Sequence, residues 1–204
     1  YCPVNSNVQI PCEDGYYCVP GGTNHMLCPF GTRFNASTPQ SLRDSPAHAC
    51  IVCPPGTHGA DPQRLTCPIC PGGYVCLGDT TSPTPTDEAT QNGYRCPVGN
   101  YCPPGSSAPL PCAPGTYQAV VGVNSSAQCL PCPSGAFSAL AGSASCQTCG
   151  ASASSNAGAT SCRCIGANRA YQPGDGSCLC LSGYVFYDAV TKRSEERRVG
   201  KECR

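Results

Sequence analysis

Residues 112–149 read CAPGTYQAVVGVNSSAQCLPCPSGAFSALAGSASCQTC, and one pattern occurs twice in this stretch. Each copy opens with a cysteine, a proline and a glycine, continues to an aromatic residue, and ends at a second cysteine that begins a Cys-x-x-Cys step. Proline fixes φ and glycine accepts positive φ, so together they turn the chain back on itself. The aromatic residue, Tyr117 or Phe137, is expected to lie across the disulfide. The stretch therefore predicts short two-stranded ribbons and turns, with little or no helix.

The same long unit recurs along the chain. Its copies open at Cys28, Cys53, Cys112 and Cys132, close at Cys50, Cys67, Cys129 and Cys146, and are followed by a weaker copy at 149–162. A shorter unit, with five residues between its cysteines, occurs at 12–18, 70–76 and 96–102. Repetition at a small period predicts an elongated linear array in which each unit contacts mostly its neighbours.

Cysteine replaces the large apolar residues that normally fill a core. The 204 residues include 21 Cys, 23 Gly and 22 Pro, but only four Phe, one Met and no Trp. A disulfide that closes about 15 residues contributes roughly 3 kcal/mol in the loop-entropy model, so a series of such bonds can stabilise a chain with hardly any core. The composition predicts a small disulfide-rich repeat array in an oxidising compartment, which means an extracellular or cell-surface protein.

The charge pattern and the histidines exclude several function classes. Basic residues before Arg193 stand singly, so the sequence offers no stripe suited to nucleic acid. No apolar run approaches the roughly 20 residues of a membrane span, so any membrane anchor is expected outside this sequence. His25, His48 and His58 have no carboxylate at a recognisable catalytic spacing, and His58 occupies the aromatic position of its unit. We expect no enzyme activity, no catalytic residue and no cofactor.

The C-terminal segment 193–204, RSEERRVGKECR, differs from the rest of the chain by its dense charge. It resembles the translation of a common short-read sequencing adapter, AGATCGGAAGAGCG, whose reading frame gives Arg-Ser-Glu-Glu-Arg. The resemblance implies a tail that is not native to the protein. Without it the sequence has twenty cysteines, an even number, together with seven basic and nine acidic residues.

The cysteine spacings leave two pairing schemes open. Bonds of Cys53 with Cys67 and of Cys132 with Cys146 fit both schemes. The unnested scheme adds Cys12–Cys18, Cys28–Cys50, Cys70–Cys76, Cys96–Cys102, Cys112–Cys129, Cys149–Cys162 and Cys164–Cys178. It leaves Cys2 and Cys180 needing partners beyond this sequence. A nested scheme instead closes all twenty, for example with Cys50–Cys70 around Cys53–Cys67, and the sequence alone does not decide between them.

These units resemble the ephrin-receptor-like cysteine-rich repeat, and their Cys-Pro-x-Gly-Thr-Tyr opening resembles the first module of tumour-necrosis-factor-receptor cysteine-rich domains. The resemblance covers most of 12–162. The predicted organisation is short cysteine-rich units at 1–28, followed by ephrin-receptor-like repeats at 28–76 and 96–162. Because that receptor module bonds its first cysteine to its second, the resemblance implies the unnested scheme. It implies a receptor- or adhesin-type ectodomain, but no particular ligand.

Two segments depart from the repeats. Residues 77–95, LGDTTSPTPTDEATQNGYR, are rich in Thr, Ser and Pro, and they predict an exposed loop or linker, or else a spacer O-glycosylated between Thr80 and Thr86. Residues 162–192 resemble half of an EGF-like module or the start of another domain, without the paired acids of a calcium site. Two Asn-x-Ser sequons, at Asn35 and Asn124, predict N-glycosylation in exposed loops.

Two non-enzymatic functions therefore remain open. The first is a receptor or adhesin ectodomain that binds an extracellular protein or glycan, and the second is a passive secreted matrix or stalk protein. A binding module should present exposed aromatic and arginine side chains, for which Tyr16, Tyr17 and Arg33 are candidates. The alternative for both tyrosines is that they cover disulfides.

A minor alternative is an intracellular zinc-binding protein. Two cysteine sets have the spacing of four-thiolate sites: Cys50, Cys53, Cys67 and Cys70, and Cys129, Cys132, Cys146 and Cys149. Against zinc, further cysteines continue on both sides at spacings that zinc modules do not use, and the sequons favour secretion. No metal site is therefore assigned.

Overall fold

The structure, a computed structural model, describes residues 10–186 and 201–203. The chain forms two compact units, the first from 1–97, 101–110 and 121–125 and the second from 98–100, 111–120 and 126–204. The described residues form nine two-stranded sheets, together with two α-helices of four residues each. The predicted disulfide-rich fold of short ribbons and turns, with little helix, is confirmed.

Strands of two or three residues form the first unit. They are Tyr16–Tyr17, Met26–Leu27, Thr32–Phe34, Cys50–Val52, Tyr74–Cys76 and Gly93–Arg95. The helices Pro46–Ala49 and Glu88–Gln91 and the 3-10 turn Gln40–Leu42 lie between them in the chain. Consecutive strands pair antiparallel, with Thr32 opposite Val52 and Tyr74 opposite Arg95. The first strand of each of these ribbons therefore begins immediately after the glycine turn of its repeat.

The second unit follows the same plan. Its strands are Thr116–Tyr117, Leu130–Pro131, Ala136–Phe137, Gln147–Thr148, Ala153–Ser154, Arg163–Cys164, Arg169–Gln172, Ser177–Cys180, Tyr184–Phe186 and Lys201–Cys203, with a 3-10 turn at Ser126–Gln128. Successive strands pair in order, antiparallel except for the last two, which run parallel. A further pair joins Asn100–Tyr101 to Leu110–Pro111.

The Cys-Pro-x-Gly-Thr opening forms the tight turn that the sequence predicts. Gly31 has φ +86, and the N–H of Thr32 donates to the carbonyl of Pro29 at 3.2 Å, which closes a four-residue turn with glycine third. The hydroxyl of Thr32 donates to the same carbonyl at 2.7 Å. The turn at Gly56 has the same two bonds, from the N–H and hydroxyl of Thr57. Threonine after the glycine therefore locks the turn from its side chain as well as its backbone.

In each unit, backbone hydrogen bonds join several repeats to the one that follows. In the first unit the carbonyls of Gly31, Gly56 and Gly73 accept from the N–H groups of Cys53, Cys70 and Cys96 at 2.8–2.9 Å. In the second unit the carbonyls of Gly99, Gly115 and Gly135 accept from Cys112, Cys132 and Cys149 at 2.9 Å. The opening cysteine of one repeat is thereby fixed to the turn of the preceding one, and the polar backbone groups of both are satisfied.

Contacts also reach the repeat after next. Gly56 lies against the carbonyl of Gly105, and Gly73 lies against the carbonyl of Gly122, in the first unit. In the second unit Gly115 lies in the same way against Gly158. The sequence predicted that each repeat contacts mostly the repeats next to it, and this expectation is incomplete. Because the turn glycine has no side chain, the backbone of the repeat after next can approach it closely.

Small clusters around disulfides take the place of a central core. In the first unit Tyr17, Cys28, Phe34 and Ala49 form one buried cluster, and Val75, Cys96 and Cys102 form another. In the second unit Phe137 is buried with Cys149, Ala153 and Cys162. Phe34 thus packs on the disulfide of its own repeat, whereas Phe137 packs on the disulfide of the following repeat. Tyr117, the third predicted disulfide cover, is half-exposed.

The Thr- and Pro-rich segment 77–95 is partly folded. Thr80 is fully buried and its hydroxyl donates to the carbonyl of Asn92 at 2.8 Å, and Pro85 is also fully buried. The side chain of Asp87 accepts from the N–H of Ala89 and so begins the helix Glu88–Gln91. The expectation that Thr80 stands in an exposed or glycosylated spacer is wrong, because its hydroxyl has an internal partner that a glycan would displace.

The last described part of the chain contains the longest ribbon, Arg169–Gln172 with Ser177–Cys180. Beyond it, Tyr184–Phe186 pairs in parallel with Lys201–Cys203, which belongs to the segment 193–204. That this segment is not native stays a prediction; residues 193–200 and Arg204 lie outside the described residues.

Candidate functional site

Nine disulfides join pairs of cysteines that both lie within residues 12–178 of the described chain. They are Cys12–Cys18, Cys28–Cys50, Cys53–Cys67, Cys70–Cys76, Cys96–Cys102, Cys112–Cys129, Cys132–Cys146, Cys149–Cys162 and Cys164–Cys178. This is the unnested set of pairs that the receptor resemblance implied, with Cα–Cα separations of 5.5–6.0 Å. Cys180 is also disulfide-bonded here, although that scheme left it without a partner in the chain. Cys2 lies outside the described residues.

The pairing removes both four-thiolate sets. Cys50, Cys53, Cys67 and Cys70 belong to three different disulfides, with Cys28 and Cys76 as the outer partners. A sulfur in a disulfide is not a thiolate and does not serve as a zinc ligand of this type. Among the described residues, no cluster of three or more His, Cys, Asp or Glu side chains is arranged to hold a metal ion.

The three residues proposed as a binding hot spot have different roles. Tyr17 is only 7% exposed and packs with Cys28 and Phe34, so it covers a disulfide and is not available to a partner. Tyr16 is half-buried, and its ring lies edge-on to that of His25 with centroids 4.1 Å apart. Arg33 is half-buried and its Nη1 donates to the carbonyl of Phe34 at 3.2 Å. Tyr17 therefore drops out of any exposed cluster.

Two buried arginines in the first unit were not foreseen from the sequence. Arg43 donates to the carbonyl of Thr38 at 3.1 Å and to that of Cys12 at 3.4 Å, and it forms an ion pair with Asp14 at 2.6 Å. Its guanidinium lies 5.0 Å from the centre of the Phe34 ring. These bonds join segments 31 residues apart and make Arg43 a structural cross-link.

Arg64 is the second buried arginine. Its guanidinium lies 3.7 Å from the centre of the Phe30 ring, a cation–π contact, and Nη1 donates to the carbonyl of Asp61. The carbonyl of Arg64 accepts from the N–H of Phe34 at 2.6 Å. Arg64 also has positive φ, +55, which is uncommon for arginine. No sequence pattern marks this residue, because the Phe30 ring and the Phe34 backbone that it contacts belong to another repeat.

Histidines occupy structural positions. His58 is buried, its Nδ1 accepts from the N–H of Ala60 at 3.4 Å, and burial lowers its pKa while the charge of Asp61 acts in the opposite direction. His48 contacts Asp44 at 2.6 Å, and the hydrogen bond to His48 lowers the pKa of that carboxyl.

Ser45 also lies near His48, which puts a serine, a histidine and an aspartate together. Ser45 Oγ approaches the same nitrogen of His48, Nδ1, that Asp44 contacts, at 3.2 Å. In a catalytic triad the base lies between the two partners and uses both ring nitrogens. Here both partners contact one ring nitrogen, so the three residues form a local cluster at the start of the helix Pro46–Ala49 and not a catalytic triad.

The two sequons differ in surroundings. Asn35 is half-buried, its Oδ1 accepts from the N–H of Ser37 at 3.1 Å, and its own N–H donates to the carbonyl of Ala49. Asn124 is exposed and lies close to Gly72. Glycosylation at both remains a prediction, and Asn124 has the more accessible side chain.

A polar cleft of about 800 Å³ opens in the second unit, next to the ribbon of Ala153–Ser154 and Arg163–Cys164. The side chains that give it its chemistry are those of Ser154, Ser155, Thr160, Arg163, Arg169 and Tyr171. Arg169 donates to the carbonyls of Ile165 at 3.2 Å and Cys178 at 3.4 Å, which fixes its guanidinium. The sequence singled out none of these residues, because the cleft arises only when two ribbons fold together.

The fold and the disulfides define a cysteine-rich protein of the disulfide-stapled type that is typical of the extracellular space. No protein-family model matches the chain, and no curated protein matches it significantly. The described helices are at most four residues long, and none has the length and apolar character to cross a bilayer.

Proposed function

We propose that this chain is a non-catalytic part of an extracellular or cell-surface cysteine-rich protein, a receptor- or adhesin-type ectodomain that binds an extracellular protein or glycan. The observation that carries the proposal is the set of nine disulfides that holds both units. Such a set persists only in an oxidising compartment, and these small buried clusters would not hold the fold without it.

The binding role is supported by the exposed polar cleft of the second unit. Its arginine, tyrosine and hydroxyl groups are of the kinds that recognise ligands at exposed sites. The matrix or stalk protein is the second candidate. The observation that supports this candidate is the series of hydrogen bonds that joins successive repeats in each unit, because such bonds suit a stiff spacer.

The test is secretion of the chain from a eukaryotic host, followed by thiol labelling under denaturing, non-reducing conditions and by metal analysis. The proposal expects the nine bonds in the peptide map and no bound zinc. Labelling of the cysteines at 50, 53, 67 and 70 together with stoichiometric zinc would contradict it and favour the intracellular zinc protein. To separate receptor from spacer, the secreted chain is applied to intact cells and to extracellular matrix; saturable binding supports the receptor.

A further inference from the structure

We propose that the cleft of the second unit binds an acidic saccharide, with Arg163 as the residue that takes its carboxylate or sulfate group. This inference rests on the proposed extracellular function and names the ligand class for it. The cleft, at about 800 Å³, has the size of small-ligand sites, which are roughly 300–1,000 Å³.

Among the described residues that line the cleft there is no aspartate or glutamate. From 96 to 162 the sequence contains no Asp, Glu, Lys, Arg or His, so the wall from Ser154 to Cys162 is neutral. Arg163 lies at the end of this neutral stretch, exposed and opposite Ser154 in the ribbon. Within the described residues no ion pair involves Arg163. A guanidinium in this setting presents a two-pronged donor that matches a carboxylate or sulfate.

Neighbouring side chains are held in place before any ligand arrives. Arg169 and Tyr171 are two residues apart in one strand and so point to the same face of the ribbon. Two backbone carbonyls hold Arg169, and the ring of Tyr171 packs edge-on against Phe137 with centroids 5.9 Å apart. Binding therefore costs little ordering of these groups.

The rest of the lining favours a sugar over a peptide. The lining includes three serines, one threonine and Asn156, whose hydroxyl and amide groups can exchange hydrogen bonds with a polyhydroxyl ligand. Ile165 is the one large aliphatic side chain in the lining, so the described cleft has no apolar pocket for peptide side chains. A charged saccharide satisfies both the arginine and the hydroxyls.

The experiment titrates the full secreted, disulfide-bonded chain with 3′-sialyllactose, with sulfated lactose and with neutral lactose, and follows binding by calorimetry. We expect saturable binding of the two charged sugars, whose comparison separates carboxylate from sulfate, and at least roughly tenfold weaker binding of lactose. Arg163→Gln should weaken the charged sugars by a similar factor. Arg95→Gln removes the same charge from an exposed strand position in the first unit and should change nothing.

Several results would overturn the inference: no saturable binding of either charged sugar, equal affinity for lactose, an unchanged affinity in Arg163→Gln, or tighter binding of a glutamate-rich peptide. Thiol labelling of the same sample keeps this failure separate from failure of the proposed function. A fully disulfide-bonded, zinc-free chain that binds no sugar overturns the saccharide site alone, whereas reduced cysteines with zinc overturn the extracellular assignment.

Discussion

The carbonyl oxygen of Gly105 occupies the place where a side chain on Gly56 would begin, because a Cβ on Gly56 would lie 2.5 Å from it. Gly56 has φ +81, donates its N–H to the carbonyl of Cys76 and accepts from the N–H of Cys70, both at 2.8 Å. The residue is thus fixed on both sides by the next repeat while the repeat after that closes over it. Glycine is required at this position for two reasons: the positive φ, and the lack of room for a side chain beside the Gly105 carbonyl.

Gly56→Ala should lower the free energy of unfolding by about 2–5 kcal/mol. A left-handed alanine costs roughly 1–2 kcal/mol, and relief of the overlap with the Gly105 carbonyl adds roughly 1–3 kcal/mol. The measurement is urea unfolding with the disulfides intact.

Gly105→Ala is the matched control for this change. Gly105 has nearly the same φ, +82, and a Cβ there would meet nothing within 4 Å. It should cost only the conformational part, roughly 1–2 kcal/mol. Equal losses in the two variants would show that the contact between repeats does not constrain Gly56.

Cys50→Ala distinguishes the two pairing schemes in one protein. In the structure Cys50 bonds to Cys28, so the variant should leave Cys28 as the new free thiol, identified by labelling under denaturing, non-reducing conditions and peptide mapping. The loop of 22 residues that opens should cost about 3 kcal/mol of stability. A label on Cys70 would instead demonstrate the nested scheme.

Thr80→Val should destabilise the first unit by about 1 kcal/mol in urea unfolding. The substitution keeps the shape of a fully buried side chain but removes the hydroxyl that donates to Asn92. The cost is moderate because the Asn92 carbonyl also accepts from the N–H of Leu77. Thr84→Val, at an exposed position of the same segment, should stay within about 0.5 kcal/mol of the parent. A loss as large at Thr84 would mean that the Thr80 hydrogen bond is not the cause.

Local features of this fold can be predicted from the sequence, because they depend on residues that are close together in the chain. The turn at Gly31 needs a positive φ two residues after a proline, and the Cys-Pro-x-Gly-Thr opening predicts it. Bonds between cysteines six to twenty-two residues apart are also local, although the sequence alone left their pairing open and the receptor resemblance was needed to favour one scheme.

Features that depend on distant segments were not predictable. Arg43 looks like any surface arginine until the fold brings the carbonyl of Cys12 to it. The rule that Thr- and Pro-rich segments stay solvated failed at Pro85, which packs beside Gly93, where no side chain stands in its way. The cleft at Arg163 likewise requires two ribbons, and no spacing in the sequence encodes their approach.

His58 should make stability depend on pH near neutrality. Burial lowers its pKa below the ordinary value of 6.5, and the opposing effect of Asp61 is the smaller one. A histidine of this kind is protonated more readily in the unfolded chain, so its contribution is fully present above about pH 6.5 and is lost as the pH falls toward the folded pKa. Thermal unfolding should show a Tm that falls as the pH is lowered below about 6.5, and part of that fall should vanish in His58→Phe, which places in this repeat the residue that Phe34 and Phe137 provide in theirs. His25→Gln, which removes an exposed imidazole, controls for the loss of a histidine elsewhere. An identical pH slope in the parent and His58→Phe would mean that the buried imidazole is not the group that couples protonation to unfolding.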